Sequence, residues 1–364
     1  MELNLNITPL EQWLPGEKPL VISGPCSAET EAQVMQTANE LGASGLVSVL
    51  RAGIWKPRTR PNSFEGVGIE ALNWLVNAAK TNNMKSATEV ANVQHVEACL
   101  KAGVDILWIG ARTSVNPFSV QEIADALKGV DIPVLVKNPI NPDLQLWIGE
   151  LERINSAGIT KIGAIHRGFS NSGKSIYRNQ PMWDLAIELK ALCPALPMIC
   201  DPSHIAGNRE LLQVVAQRSL DLDMDGVMIE AHPTPDEAWS DAKQQITPAR
   251  LIELVGELQV RQVTSESKEF ITQLEKLRAS IDKVDHNIFS WLTERMELVE
   301  QIGDYKRANE VTILQVERWN EIKKTRKELG RQLGLSEEFI MDLLRIIHKE
   351  SIRKQTAVMN KISE

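Results

Sequence analysis

The feature that most limits how this chain can fold is an alternation filling about its first 250 residues. Short β-rich runs at 20–23, 46–50, 85–88, 106–109, 133–136, 161–165, 197–200 and 226–229 are separated by stretches with helical spacing. Strands that alternate with helices build a parallel sheet, and eight such units in about 250 residues match a (β/α)8 barrel. A doubly wound open sheet is the structural alternative, but no G-x-G-x-x-G comes after the first run. The expected fold class is therefore α/β: a (β/α)8 TIM barrel, followed by an all-α domain.

The residues just past each run are as informative as the run itself. In order the chain offers Cys26, Arg51, Glu89, Arg112, Lys137, His166 with Arg167, Asp201 with His204, and Glu230 with His232. The C-terminal ends of barrel strands converge on one mouth, where active sites are built. A single polar group at a strand end is ordinarily only a satisfied one; a reactive group after every run points to a pocket.

By chemistry these residues form two sets. Arg51, Lys56, Arg58, Arg112, Lys137 and Arg167 are cations enough for two phosphates and a carboxylate, whose oxygens guanidinium forks and ammonium groups match at close range. Four cations fall within 51–60 of the stretch RAGIWKPRTRP, and its prolines hold it extended. Cys26, His204, Glu230, His232 and Asp241 include the N, O and S ligands that a divalent transition metal accepts, without any motif spacing.

Charge narrows the ligand. Residues 268–364 carry 18 Lys and Arg against 17 Asp and Glu, whereas 1–267 carry 22 against 31. An acidic body with one cationic cluster suits a small anion and excludes a nucleic-acid surface, which needs a broad basic field. Four cysteines (Cys26, Cys99, Cys193, Cys200) without short regular spacing argue against a disulfide framework or zinc knuckle. The N-terminal MELNLNITPLEQW has no cationic start and no apolar run of signal length, and no run of 18 apolar residues occurs elsewhere. The expectation is a cytoplasmic protein with neither membrane nor nucleic acid as partner.

Several motifs carry a family resemblance. Gly24-Pro25-Cys26-Ser27, Lys56-Pro57-Arg58-Thr59, Gly110-Ala111-Arg112-Thr113, Asp201-Pro202-Ser203-His204 and Met228-Ile229-Glu230-Ala231-His232-Pro233 resemble 3-deoxy-D-arabino-heptulosonate 7-phosphate (DAHP) synthase of type I, beta subgroup, over about 18–255. The resemblance implies a metal-dependent condensation of phosphoenolpyruvate with erythrose 4-phosphate, the opening step of the shikimate pathway to aromatic compounds. It implies Cys26, His204, Glu230 and Asp241 as ligands of a divalent ion, manganese foremost, with others able to substitute. Arg51, Lys56, Arg112, Lys137 and Arg167 would hold phosphoenolpyruvate, and Lys56, Pro57, Arg58 and Thr59 would reach the erythrose phosphate. Lys56 would protonate the new alkoxide, and His232 is implied as a supporting or proton-transferring residue. The 3-deoxy-D-manno-octulosonate 8-phosphate synthases, which use a five-carbon sugar, carry an asparagine-containing segment where this chain has Lys56-Pro57-Arg58-Thr59. A Schiff-base aldolase through Lys137 or Lys161 would leave Cys26 idle.

The remaining residues read as helices. Residues 240–257 suggest the closing helix of the barrel and 258–267 a linker, giving domains of 1–257 and 268–364. From 268 to about 307, Leu274, Ile281, Ile288, Arg295 and Ile302 share one heptad position, and Leu277, Val284, Trp291, Leu298 and Tyr305 the other. This predicts an amphipathic helix about 60 Å long with a seam for partner helices. Arg295 lies in that apolar seam and calls for a counter-ion or an anionic ligand. Arg295 and Lys306 share a face, whereas Arg278 is rotated from Arg295 by roughly 100°, so a second chain is the natural source of Arg278. Two more helices are expected at 315–333 and 337–360, with Ser336 as N-cap and Ser351 and Gln355 on one face of the last.

Leu277-Arg278, Ile281-Asp282, Asp285, Glu294-Arg295, Lys306, Arg318, Ser351 and Gln355 together resemble the all-helical class of chorismate mutase over about 270–357. That family is an intertwined homodimer converting chorismate to prephenate. The resemblance implies that Arg278 (from a partner), Arg295, Lys306, Arg318, Ser351 and Gln355 bind chorismate, with Lys306 and Gln355 stabilising charge on the breaking ether oxygen. Gln315 stands where an aspartate is common and Trp319 where a glutamate often contacts the substrate hydroxyl. A bifunctional enzyme with feedback through its helical domain is thus expected; the alternative is a DAHP synthase whose helical part is a weakly active dimerisation and prephenate-sensing module.

Overall fold

The computed structural model describes residues 3–56, 64–171, 173 and 175–360. Pro57, Arg58 and Thr59 lie outside the described residues. The chain divides into two compact units, 1–263 and 264–364. In the first, eight parallel strands close into a barrel in sequence order: β1 (Leu20–Gly24), β2 (Val49–Arg51), β3 (Lys85–Val90), β4 (Ile106–Ile109), β5 (Val134–Lys137), β6 (Ile162–His166), β7 (Met198–Cys200) and β8 (Gly226–Glu230). Closure is the pairing of β1 with β8, Leu20 opposite Gly226 through Gly24 opposite Glu230.

Side chains alternate across a strand, so every second residue points into the barrel. The inner core consists of Ile22, Val49, Ala87, Ile106, Trp108, Leu135, Ile165, Ile199 and Met228. Two positions further along each strand path, the inward residues become Gly24, Arg51, Glu89, Gly110, Lys137, Arg167, Asp201 and Glu230. An apolar plug therefore supports a charged ring at the C-terminal mouth. The same alternation turns His166 outward, where its ring packs among Trp147, Phe169 and Trp183. Gly24 is sterically required, since a Cβ there would lie 2.1 Å from the Arg51 carbonyl oxygen; a Cβ on Gly110 would lie 2.1 Å from Glu89 Oε1 and displace that carboxylate.

Two boundaries differ from the sequence expectation. The run at 46–50 contributes a strand only at Val49–Arg51, because parallel pairing begins with Val49 opposite Ile22 and Lys85. Arg51 therefore belongs to the strand itself. The closing helix is Pro248–Glu257, not 240–257. Thr247 caps it by accepting the Arg250 N–H, and Pro248 takes the first helical position, where its missing N–H costs nothing. Residues 240–246 instead form turns leading to a bridge between Ile246 and Ala231.

The second unit contains three helices, Lys268–Ala308, Val316–Gln332 and Glu337–Met359. Ser336 caps the third by accepting the Phe339 N–H. Gly303 lets the first and third helices approach: a Cβ there would stand 3.3 Å from Gln355 Cα and Val358 Cβ. Few apolar side chains are buried in this unit, among them Val299, Ile340 and Val358. Most of the heptad seam is exposed, including Leu277, Ile281, Val284, Ile288, Trp291, Leu298 and Ile302.

Glu150, on the helix Leu144–Ser156, is 1% exposed, and neither carboxyl oxygen has a well-formed hydrogen bond among the described residues. Burial pushes its pKa up to about 9, against a smaller opposing pull from Ser114. The folded carboxyl is thus protonated where the unfolded one, with its ordinary value of 4.5, is ionised. Between those values folding takes up a proton, and stability falls as pH rises. Glu150→Gln is expected to be more stable than the parent by about 1–3 kcal/mol at pH 8, the gap closing towards pH 5, in urea titrations of the barrel. A gap independent of pH would contradict the assignment.

Candidate active sites

At the barrel mouth Trp108 forms the floor. Its indole Nε1 donates to Glu89 Oε2 at 2.9 Å, the Arg51 guanidinium sits 4.9 Å above its ring, and Lys137 Nζ lies 5.6 Å away. Arg51 and Glu230 form an ion pair at 2.8 Å, with side chains 2% and 0% exposed; Lys137 and Asp201 form another at 2.7 Å. Buried charges persist only when paired in this way. Burial disfavours the Glu230 carboxylate, but His204, Arg51 and Lys56 outweigh it and hold the carboxyl below its usual range. Asp201 is likewise held far down, by His204 and Lys137 against burial.

Cys26 comes just after β1 and is fully buried. Its Sγ accepts from Lys56 Nζ at 2.9 Å and lies 3.4 Å from Asp241 Oδ2. Burial, then the Glu230 charge, pushes the thiol up to about 12. Cys26 Sγ and one oxygen each of Glu230 and Asp241 lie within 4.8 Å of one another. His204 adjoins this group rather than completing it: Nδ1 is 2.9 Å from Asp201 Oδ2, and Nε2 is 4.0 Å from Glu230 Oε1. Burial, with Lys137 adding to it, lowers the His204 pKa against Asp201 and Glu230, the direction that favours the neutral ring ligation requires. Sulfur, carboxylate and neutral imidazole donors in one buried group fit a divalent transition ion.

Arg167 donates to Asn179 Oδ1 at 2.9 Å and is drawn down to about 10, first by burial and then, against Asp201, by its neighbours Arg178 and Arg112. Arg112 itself is exposed at the rim. Three guanidinium groups close together are a setting that an anion would relieve. His232 does not face the ligand group with a free nitrogen. Its Nδ1 accepts the Thr234 N–H at 3.0 Å, and its Nε2 lies 3.3 Å from Glu29 Oε2. A cleft of 980 Å³ opens at the opposite, N-terminal end of the strands, but two of its three lysines, Lys18 and Lys85, are paired with Asp225 and Asp105, and none of the charged ring lines it.

In the helical unit Arg295 Nη1 donates to Ser351 Oγ at 2.8 Å, and Gln355 is buried with its Oε1 unpaired among the described residues. Lys306 reaches the carbonyl of Ile313. Burial lowers the pKa of both Arg295 and Lys306, and Arg326 adds to the effect on Arg295. The structure thus brings Arg295, Ser351 and Gln355 to one seam. It does not bring Arg278 or Arg318 there: each bonds a glutamate one turn away on its own helix, Glu275 and Glu321. Trp319 stacks on His348, ring centroids 3.9 Å apart.

The two units can be compared with known proteins. Residues 12–268 match the DAHP synthetase I family and residues 277–356 match chorismate mutase type II. A phospho-2-dehydro-3-deoxyheptonate aldolase of Thermotoga maritima is 33% identical over 238 residues, covering 65% of this chain and 68% of that protein. A 2-dehydro-3-deoxyphosphooctonate aldolase of Francisella tularensis is 26% identical over 260 residues, covering 66% and 90%. The crystal structure of a Thermotoga maritima DAHP synthase superposes with a TM-score of 0.59 at 31% identity, covering 65% of this chain and 67% of that one. The chain belongs to the DAHP synthetase I family, an enzyme family built on the (β/α)8 barrel, and carries a type II chorismate mutase domain behind it. Both the synthase and the mutase domains of a bifunctional shikimate-pathway enzyme are present.

Several neighbours of these sites escaped the sequence reading. Arg178 bonds Asp241 Oδ1 at 3.1 Å and Gln244 Oε1 at 2.6 Å, and Gln244 in turn donates to Glu230 Oε2 at 2.7 Å. Gln245 accepts the Cys26 N–H at 2.9 Å. Reading 240–257 as one helix hid the two glutamines; Arg178 stands at no strand end and gave no signal. Arg326 and His348 were concealed among many charged helical positions.

Because the Lys137–Asp201 pair is buried on both sides, Lys137→Met should cost about 3–5 kcal/mol of barrel stability, and Lys137→Met/Asp201→Asn should recover part of it. Urea unfolding monitored by tryptophan fluorescence checks this; a single variant as stable as the parent would contradict the pairing.

Proposed function

We propose that the barrel condenses phosphoenolpyruvate with D-erythrose 4-phosphate to DAHP and phosphate, and that the helical unit rearranges chorismate to prephenate. The observation that carries the first reading is the joining of an S,O ligand group, Cys26, Glu230 and Asp241, to a cluster of buried cations in one mouth. With His204 beside them, these residues would hold a divalent ion, manganese by preference, which supplies Lewis-acid polarisation of the aldehyde oxygen when bound. Arg51, Lys56, Arg112, Lys137 and Arg167 bind phosphoenolpyruvate, the rim Arg112 and its neighbour Arg167 taking its charged oxygens. Lys56, whose ammonium lies 3.0 Å from the Cys26 carbonyl, donates the proton to the new alkoxide oxygen. Its neighbours Pro57, Arg58 and Thr59 take the acceptor's phosphate. His232, with both ring nitrogens engaged, supports the loop after β8 and stands behind the reacting groups.

In the helical unit, Arg295 clamps a carboxylate, Arg318 joins it on leaving Glu321, Ser351 orients the substrate, and Lys306 with Gln355 stabilise negative charge on the ether oxygen. The exposed seam along the helix Lys268–Ala308 supports a homodimer that covers it. Arg278, 61% exposed and far along that helix from Arg295, then serves the partner's site. Gln315 and Trp319 favour a second reading of this unit, in which it binds prephenate or chorismate chiefly to restrain the barrel. The enzyme works in the cytoplasm, without nucleic acid or membrane as partner.

Phosphoenolpyruvate consumption with erythrose 4-phosphate, abolished by EDTA and restored by Mn²⁺, is the expected result. Preference for arabinose 5-phosphate, or indifference to chelation, would contradict it. Arg295→Ala should lower mutase kcat/KM by at least about 100-fold and relieve inhibition of the barrel reaction by prephenate, with the oligomeric state unchanged by light scattering. A parent synthase rate unaffected by saturating prephenate would remove the feedback reading.

A further inference from the structure

The ligand-type residues Cys26 and Asp241 sit on loops at opposite ends of the barrel sequence, after β1 and β8. Direct bonds tie these loops together. The Cys26 N–H donates to Gln245 Oε1 at 2.9 Å, and Ser27 Oγ and Ser240 Oγ are 2.5 Å apart. Glu29 makes the remaining ties: its Oε1 accepts the Trp239 N–H at 2.8 Å and faces Ser27 Oγ at 3.4 Å, while its Oε2 lies 3.3 Å from His232 Nε2. Glu29 and His232 are both buried, 6% and 3% exposed.

The tautomer of His232 is set from its other side. Nδ1 accepts the Thr234 N–H, so the ring proton resides on Nε2 and is donated to Glu29. Three donors thus converge on one carboxylate, and only a group with two acceptor oxygens serves them all. Asp241 needs such support, because its backbone has φ 47°, a region non-glycine residues hold only when their surroundings over-determine it.

We propose that Glu29 is a positioning residue that fixes the Asp241 loop against Cys26 and thereby sets the affinity of the site for its divalent ion. The inference rests on the metal-site reading above. Glu29 is not itself among the ligand group, and its oxygens are taken up by Trp239, Ser27 and His232. Glutamine, with one acceptor oxygen and an NH₂ where His232 also donates, cannot reproduce the arrangement.

The test is a titration of the full chain with Co²⁺ in the absence of substrates, monitoring the thiolate-to-cobalt absorption band, for the parent, Glu29→Gln and Glu29→Ala. The expected result is a 10–100-fold weaker Kd in both variants, the usual consequence of removing a residue that orients a ligand. In EDTA, Glu29→Gln should unfold in urea at a lower midpoint but with the cooperativity and m value of the parent, which separates loop positioning from a general loss of fold. A Kd within threefold of the parent in both variants overturns the proposal. A parent chain that shows no band, or a band that survives Cys26→Ser, overturns the metal-site reading itself and this inference with it.

Discussion

Two buried ion pairs, Arg51 with Glu230 and Lys137 with Asp201, tie the strand ends together at the barrel mouth. Each joins residues far apart in sequence, and neither partner could remain charged at that depth alone. The barrel makes them possible because strand alternation delivers the last inward side chain of every strand to one ring above an apolar plug. Trp108 closes the plug from above, offering its face to both cations and its N–H to Glu89. The ring combines Arg51, Lys137 and Arg167 with Glu89, Asp201 and Glu230, so its internal charges balance. Around it stand further cations, Lys56 against Cys26, Arg112 at the exposed rim and Arg178 paired with Asp241.

The helical unit obeys the opposite logic. Its 41-residue first helix packs on the third at the close approach around Gly303, yet leaves most of its heptad seam uncovered. An apolar face of that length is unstable in water unless something covers it. Burial lowers the pKa of Arg295 and Lys306, and among the described residues neither forms an ion pair with a carboxylate, a setting that an anionic ligand would relieve.

The barrel was legible because its signal repeats: eight runs, each with a reactive residue at its end, leave few architectures. The ring was legible through period two, which also explains why His166 was a poor candidate; adjacent to Arg167, it must point the other way. Less was visible where function depends on loops. Glu29, Arg178 and Gln245 act through contacts spanning up to 219 residues of sequence, and no local pattern announces such partners. The segment 240–247 misled for a related reason: its composition suits a helix, but Thr247-Pro248 moves the helix start downstream. In the helical unit the spacing of Ser351 and Gln355 put them on one face, because a helix converts spacing directly into a face, whereas Arg295 meets Ser351 from another helix.

The central claim is that one barrel mouth both ligates a divalent ion and binds the anionic substrate. Anomalous diffraction from crystals of the full chain grown with Mn²⁺ and phosphoenolpyruvate tests it most directly. The account predicts a manganese peak bonded to Cys26 Sγ, His204 Nε2, Glu230 and Asp241, with phosphoenolpyruvate on Arg112, Lys137 and Arg167. A manganese peak elsewhere, or Cys26 beyond bonding distance of it, would contradict the account.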